Sequence, residues 1–264
     1  MNIYIMTDLE GICGIFQPEQ VSRALQSPRY KEGQEFMTKD INVCAEACKA
    51  AGADKVYVRD CHGSGDNVFW EHISPAVDYI IMGDSGRDRF PGLADCDGVI
   101  LLGYHAMAGT AGGVLEHTMS SKAVQNYWIN GQLVGETAID AAIAGERGKP
   151  VIMVSGDDKV CHEAKSLLPW TVTACVKKGM TWKGAMLLPP EWAYKTLREK
   201  TAEAVKNLSA TKPYTVEKPV TFRMECIERG QLPYPDAKPY MKIIDGRIYE
   251  VEAGSVEEAL HRLH

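Results

Sequence analysis

No run of 18 apolar residues occurs in this chain, so no bilayer-crossing helix is expected. No Lys/Arg-rich run occurs either. With a net charge of −6 and a pI near 5.7, the basic footprint required for nucleic acid is missing. The N-terminus has no basic leader region, and Asp8 and Glu10 interrupt the apolar run that a secretory signal needs. None of the eight cysteines forms a C-x-x-C pair, and a disulfide framework is not expected at this size without a signal peptide. These absences predict a soluble cytoplasmic protein that engages neither membrane nor nucleic acid. Missing too are a G-x-S-x-G elbow and a Walker A sequence. Gly109-Thr110-Ala111-Gly112-Gly113 lacks the strand–turn–helix setting of a dinucleotide fingerprint and reads as a loop. No linker rich in Pro, Gly or Ser and no internal repeat divides the chain.

What is present is a core-forming pattern. The 264 residues are 45% hydrophobic, enough to bury a sizeable core. Apolar runs at 2–7, 55–59, 77–82, 98–104, 151–155 and 171–177 read as strands. Helical periodicity marks Tyr30 to Ala51, Glu136 to Glu146, Lys159 to Leu168 and a segment from Pro190 to about Leu208. Cys44 and Cys48, one helical turn apart, fit two buried side chains on a helix face better than a metal pair. Asn130-Gly131 is the preferred two-residue turn of a hairpin over 124–135. A strand at Val220 to Cys226, a hairpin around Asp245-Gly246 and a short helix from Val256 close the chain. Buried strands alternating with helices indicate an α/β fold with a mostly parallel sheet flanked by helices and a more β-rich C-terminal portion. The expected division is a catalytic core over 1–210 and a mixed subdomain or oligomerisation appendage over 211–264, which could equally belong to one domain.

In such folds ligands bind at the carboxyl ends of the strands. After Ile3–Met6 come Asp8 and Glu10; after Lys55–Arg59 come Asp60 and His62; after Val99–Gly103 come Tyr104 and His105. Glu136 follows the hairpin, and His117 lies in a segment bounded by glycines. Two carboxylates at one buried strand end repel each other unless a cation joins them. Asp8, Glu10, His62, His105 and Glu136 form the donor mix of zinc or a similar metal. The set is too rich for one open catalytic zinc. It suits two metals with Asp8 as the shared carboxylate, a pair that polarises carbonyls and generates hydroxide near neutral pH. Blander roles compete at single positions. Glu136 could serve the helix dipole, Asp60 could cap the Gly63-Ser64-Gly65 turn, and Asp157-Asp158 could cap the next helix. No Arg/Lys cluster stands near the motifs, which counts against phosphate substrates.

The motifs Asp8-x-Glu10-Gly11, Asp60-x-His62-Gly63, Gly103-Tyr104-His105-Ala106, Glu116-His117, Asn130-Gly131 with Gly135-Glu136, and Gly156-Asp157-Asp158 resemble, in order, those of the D-aminopeptidases of the dipeptide-transport-operon type. The resemblance runs from residue 1 to about 165. It implies an aminopeptidase with two zinc ions (Zn2+) per subunit that removes the N-terminal D-residue of short peptides. It implies Asp8, Glu10, His62, His105 and Glu136 as metal ligands, Asp8 as bridge and His117 as the catalytic histidine. It also implies a ring-shaped homo-oligomer, a decamer. Cys61 departs from the small hydroxyl residue common between the Asp and the His, and Cys13 stands near the first motif, so both are expected close to the metals. The competing readings are a two-metal hydrolase of another amide or a phosphoester, a non-catalytic metal- or ligand-binding protein, and a metal-free structural component.

Overall fold

The computed structural model describes residues 1–234 and 238–264. In chain order the elements are β1 (Asn2–Thr7), α1 (Pro18–Val21), α2 (Arg29–Ala50), β2 (Lys55–Asp60), β3 (Tyr79–Ile81), β4 (Gly98–Tyr104), β5 (Val124–Ile129), β6 (Gln132–Val134), α3 (Glu136–Glu146), β7 (Val151–Asp157), α4 (Asp158–Leu167), β8 (Val172–Thr181), β9 (Gly184–Leu187), α5 (Pro190–Lys206), β10 (Val220–Cys226), β11 (Met241–Ile243), β12 (Ile248–Ala253) and α6 (Val256–Leu263).

Seven strands form one sheet in the order β3-β2-β1-β4-β7-β8-β9. Neighbours are parallel except the final hairpin, where β9 runs antiparallel to β8. The central strands β1 and β4 are buried on both faces, which is why their sequences read as continuous apolar runs. Alternate residues of β1 serve opposite faces. Ile3 and Ile5 pack with Met37, Ile41 and Cys44 of α2 and Leu197 of α5. Tyr4 and Met6 pack on the other side in a core shared with Ile139 of α3, Val160 of α4, Leu260 of α6 and Phe222 of the second sheet.

That second sheet is antiparallel, β11-β12-β10-β5-β6. It pairs β5, from the middle of the chain, with β10 near its end. Asn130 and Gly131 both take positive φ, as the tight turn between β5 and β6 requires. The hairpin at Asp245-Gly246 is likewise present, joining β11 to β12.

The large elements follow the sequence pattern closely. The differences lie where the pattern is weak. β8 runs on to Thr181 and turns back through β9, a sheet-edge hairpin whose Met180 and Met186 are exposed, so no apolar alternation announces it. β7 continues through Gly156 and Asp157, beyond the strand end at 155 that the sequence predicts.

The chain turns outward from β1 to β2 and β3, then returns to place β4 on the other side of β1. The topological switch point therefore lies between β1 and β4. The crevice beyond their carboxyl ends is the natural ligand position.

Candidate metal centre

At the switch point, the segment after β1 is drawn tightly against the end of β4. The Asp8 N–H donates to the Leu102 carbonyl (2.9 Å), and the Gly11 N–H to the Gly103 carbonyl (2.7 Å). A Cβ on Gly11 would stand 2.0 Å from the Tyr104 carbonyl oxygen, so only glycine allows this approach. Asp8 and Glu10 are thereby buried side by side, each 4% exposed.

The loop after β2 brings His62 to them. Both Asp60 oxygens are taken by Asn67, with one also accepting the His62 N–H, so Asp60 builds the loop, as its capping role anticipated. His62 Nδ1 lies 2.9 Å from Asp8 Oδ1 and 3.1 Å from Glu10 Oε2. His105, at the end of β4, places Nε2 3.3 Å from Asp8 Oδ2 and 3.2 Å from Glu136 Oε1. The two Asp8 oxygens thus face different imidazoles. Glu136, first residue of α3, is buried and also accepts the Met119 N–H at 2.7 Å. The His117 ring stacks on His105 with centroids 4.0 Å apart, its Nε2 3.8 Å from Glu136 Oε1. Donor atoms of Asp8, Glu10 and His105 lie within 4.8 Å of one another, as do those of His105, His117 and Glu136. All six sequence-designated residues therefore meet in one place.

Each imidazole rests on a backbone carbonyl. His62 Nε2 is 2.8 Å from the Val21 oxygen, His105 Nδ1 is 3.0 Å from that of Ala106, and His117 Nδ1 is 2.9 Å from that of Leu115. A proton spent there leaves a bare lone pair on the other nitrogen, facing carboxylate oxygens. His105 Nε2 and Glu10 Oε2 are buried without a hydrogen-bond partner among the described residues. Lone pairs meeting anions in a buried space call for a positive charge between them, and the residues present fit a divalent metal.

The titration behaviour points the same way. Burial alone would raise Asp8, yet the imidazoles of His105 and His62 beside it hold it well below the usual carboxylate range. Burial also works to raise Glu136, but His105 outweighs it and brings the group down to about 2. Burial would lower His62 and His105, but Glu10 and Glu136 respectively, each aided by Asp8, pull them well above the ordinary imidazole value. Without metal, the cluster takes up protons as its cation.

The centre floors a cavity of about 800 Å³. Tyr30, Leu115, Met119 and Trp182 line it, and so do Arg23, Arg89, Lys122 and Lys183. The last four correct the sequence reading that no basic cluster stands nearby; they come from four separate segments, so no local run reveals them. Arg89 is held by a bidentate pair to buried Asp140, which also accepts the Tyr104 hydroxyl. Leu115 and Met119 flank His117 with positive φ (53° and 61°), an uncommon conformation that bends the loop into the cavity. Sequence carries no signal for that.

The remaining candidates fall into structural roles. Asp157 caps α4 through the Lys159 and Val160 N–H groups and anchors Val114 with its other oxygen. Cys61 borders the cavity beside the centre, as expected; burial holds its thiol well above the ordinary value and it donates to the Thr7 carbonyl. Cys13, expected beside the metals, instead packs with Val176 and Ala193 away from the cavity lining. Cys44 and Cys48 are buried on α2, as expected.

A switch-point crevice with paired carboxylates and imidazoles flooring a cavity is the arrangement of a metal-dependent enzyme. Comparison with known proteins narrows the class. The profile of the D-aminopeptidase family matches residues 1–264. A D-aminopeptidase of Bacillus subtilis (strain 168) is 33% identical over 247 residues, covering 93% of this chain and 89% of that protein. The solved structure of the Zn-dependent D-aminopeptidase DppA from Bacillus subtilis, described as a self-compartmentalizing protease, superposes with a TM-score of 0.93 at 32% identity, over 99% of this chain and 95% of that one. The chain belongs to the D-aminopeptidase family and is a metal-dependent aminopeptidase.

Proposed function

We propose that this chain holds two zinc ions among Asp8, Glu10, His62, His105 and Glu136, and removes the N-terminal D-residue of short peptides. The observation that carries the two-ion reading is the division of Asp8: Oδ1 beside His62 and Glu10, Oδ2 beside His105, which also faces Glu136. Zinc there supplies Lewis acidity toward a peptide carbonyl. Imidazole and carboxylate donors suit zinc, and the relative of known structure is zinc-dependent.

His117 is the proton carrier. Its Nδ1 proton rests on the Leu115 carbonyl, so Nε2 presents a lone pair 3.8 Å from Glu136 Oε1 at the cavity wall. From there it accepts a proton from the attacking water and delivers it to the leaving amine. His117→Ala should lower turnover by about 10²–10⁴-fold with metal content near wild type. Wild-type turnover would remove His117 from the mechanism. The closeness of His117 to His105 and Glu136 favours a second reading, in which it is a ligand. Loss of one ion in the same variant would select that reading.

Parallel assay of a D-alanyl arylamide, its L-enantiomer and an aryl phosphate tests the substrate class. The D-arylamide should be cleaved fastest. Preference for the phosphate would instead assign Arg23, Arg89, Lys122 and Lys183 to a phosphoester.

The chain assembles into a closed homo-oligomer, a ring-shaped decamer, with the cavities facing inward. Self-compartmentalization in the relative supports this, as do exposed Met180, Met186, Leu187, Leu188 and Trp192 clustered around β9 and the start of α5. Its place is the cytoplasm, where the eight unpaired thiols remain reduced.

A further inference from the structure

Lys177, on β8, is 1% exposed and forms no ion pair among the described residues. Its ammonium donates to three carbonyl oxygens of one segment: Glu10 (2.6 Å), Ile12 (2.9 Å) and Ile15 (2.7 Å). These contacts use all three N–H donors of a lysine. Burying an ammonium is costly, and an apolar chain would fill the same space. What it accomplishes is specific. The segment after β1 is irregular and buried, so its carbonyls need partners that no strand or helix supplies. One of those carbonyls belongs to Glu10 itself.

The peptide that follows Glu10 is therefore held from two sides. Its oxygen accepts from Lys177, and its N–H, that of Gly11, donates to the Gly103 carbonyl. Asp40, also buried, accepts the Cys13 N–H from the same segment. Glu10 then has its main chain fixed while its Oε2 faces His62 Nδ1 in the centre without a hydrogen bond among the described residues. The other half of the centre, His105 and Glu136, is built by β4 and α3 and receives nothing from Lys177.

We propose that Lys177 is a positioning residue for the Glu10 half of the centre, aiming the Glu10 carboxylate through its own backbone carbonyl so that the ion between Glu10 and His62 is held tightly. This rests on the two-ion reading. Removing Lys177 should weaken one ion and spare the other, since the imidazole in direct contact with the Glu10 carboxylate is that of His62 (3.1 Å).

The test is zinc stoichiometry and affinity, measured on stripped full-length protein by competition with a chromophoric chelator. Wild type should bind two ions per chain. Lys177→Met, which keeps the aliphatic stem, should retain one tight ion and bind the second about 10–100-fold more weakly. Glu10→Gln should give the same one-ion pattern, and adding Lys177→Met to it should cause little further loss in the remaining ion. Lys177→Gln, which keeps two N–H donors, should show a milder version and serves if Lys177→Met does not fold. Equal weakening of both ions, or of neither, would overturn the positioning role. A wild-type chain that binds a single ion would overturn the two-ion reading itself, a result legible before any variant is made.

Discussion

Three imidazoles in this protein give one nitrogen to a main-chain carbonyl and turn the other toward acid. The carbonyl partners, Val21, Ala106 and Leu115, fix ring orientation as second-sphere groups do around bound metals. The charge conflict they create has a measurable sign. In metal-free protein His62 and His105 sit above their ordinary 6.5, so the stability they contribute is complete below that value and is lost as pH rises through the raised values. Asp8 and Glu136 sit below 3.8 and 4.5, so their contribution is present above those values and is lost as pH falls, for Glu136 toward about 2. The contribution of these four groups to the stability of metal-free protein should therefore be greatest between about 4.5 and 6.5 and weaken on the alkaline side. Zinc-loaded protein should instead keep its alkaline stability and weaken in acid, as protons displace the ion. Thermal unfolding against pH, with and without chelator, checks this; a metal-free curve that climbs steadily above neutrality would contradict it.

Among the elements, the junction of β1 with β4 decides whether a centre exists. Gly11 lets the Asp8–Glu10 segment touch the Tyr104 backbone, and Gly103, with φ of 71°, lets β4 bend away beneath Asp8. Gly11→Ala puts a methyl group against a main-chain oxygen that cannot move aside. It should cost about 1–3 kcal/mol or more as overpacking does, and displace both carboxylates. A lower melting temperature with reduced zinc content is the expected pair of observations; unchanged zinc content would mean the junction has more play than its geometry shows. The strand ends, the Asn130-Gly131 hairpin and the start of α3 at Glu136 are legible in sequence because each follows a strong local signal. The β8–β9 hairpin is not, since its apolar residues point outward, and neither is Lys177. In the doubled Lys177-Lys178 it looks like the solvent-facing end of a strand, and only the fold brings the 10–15 segment against it.

For the whole molecule, the second sheet matters most. β5 from the middle of the chain is paired with β10 from its end, so residues beyond 210 complete a sheet begun before it. Removing residues 211–264 strips β5 of that partner and uncovers Tyr127 and Ile129, leaving a raw strand edge. The truncated chain should be recovered as aggregate; a soluble fragment with a cooperative unfolding transition would show instead that residues 1–210 stand alone. The apolar surface around β9 and α5 makes a separate prediction. Trp192→Asp, on an exposed residue outside the cavity lining, should lower the assembly mass measured by light scattering without lowering zinc content. An unchanged mass would move the subunit contact elsewhere.

By itself the sequence determined the α/β class and most strands and helices, and it singled out Asp8, Glu10, His62, His105 and Glu136 as candidate ligands, because burial periodicity and strand-end chemistry are local properties of the chain; His117 joined them through the family resemblance. It did not determine which oxygen of Asp8 faces which imidazole, that Cys13 turns away while Cys61 stays, or that four basic side chains from separate segments share the cavity. It also gave no sign that a lysine on β8 holds the segment carrying Glu10. Those are contacts between residues distant in sequence, set by the order β2-β1-β4-β7-β8 in the sheet. Only the folded chain brings those groups within hydrogen-bonding range.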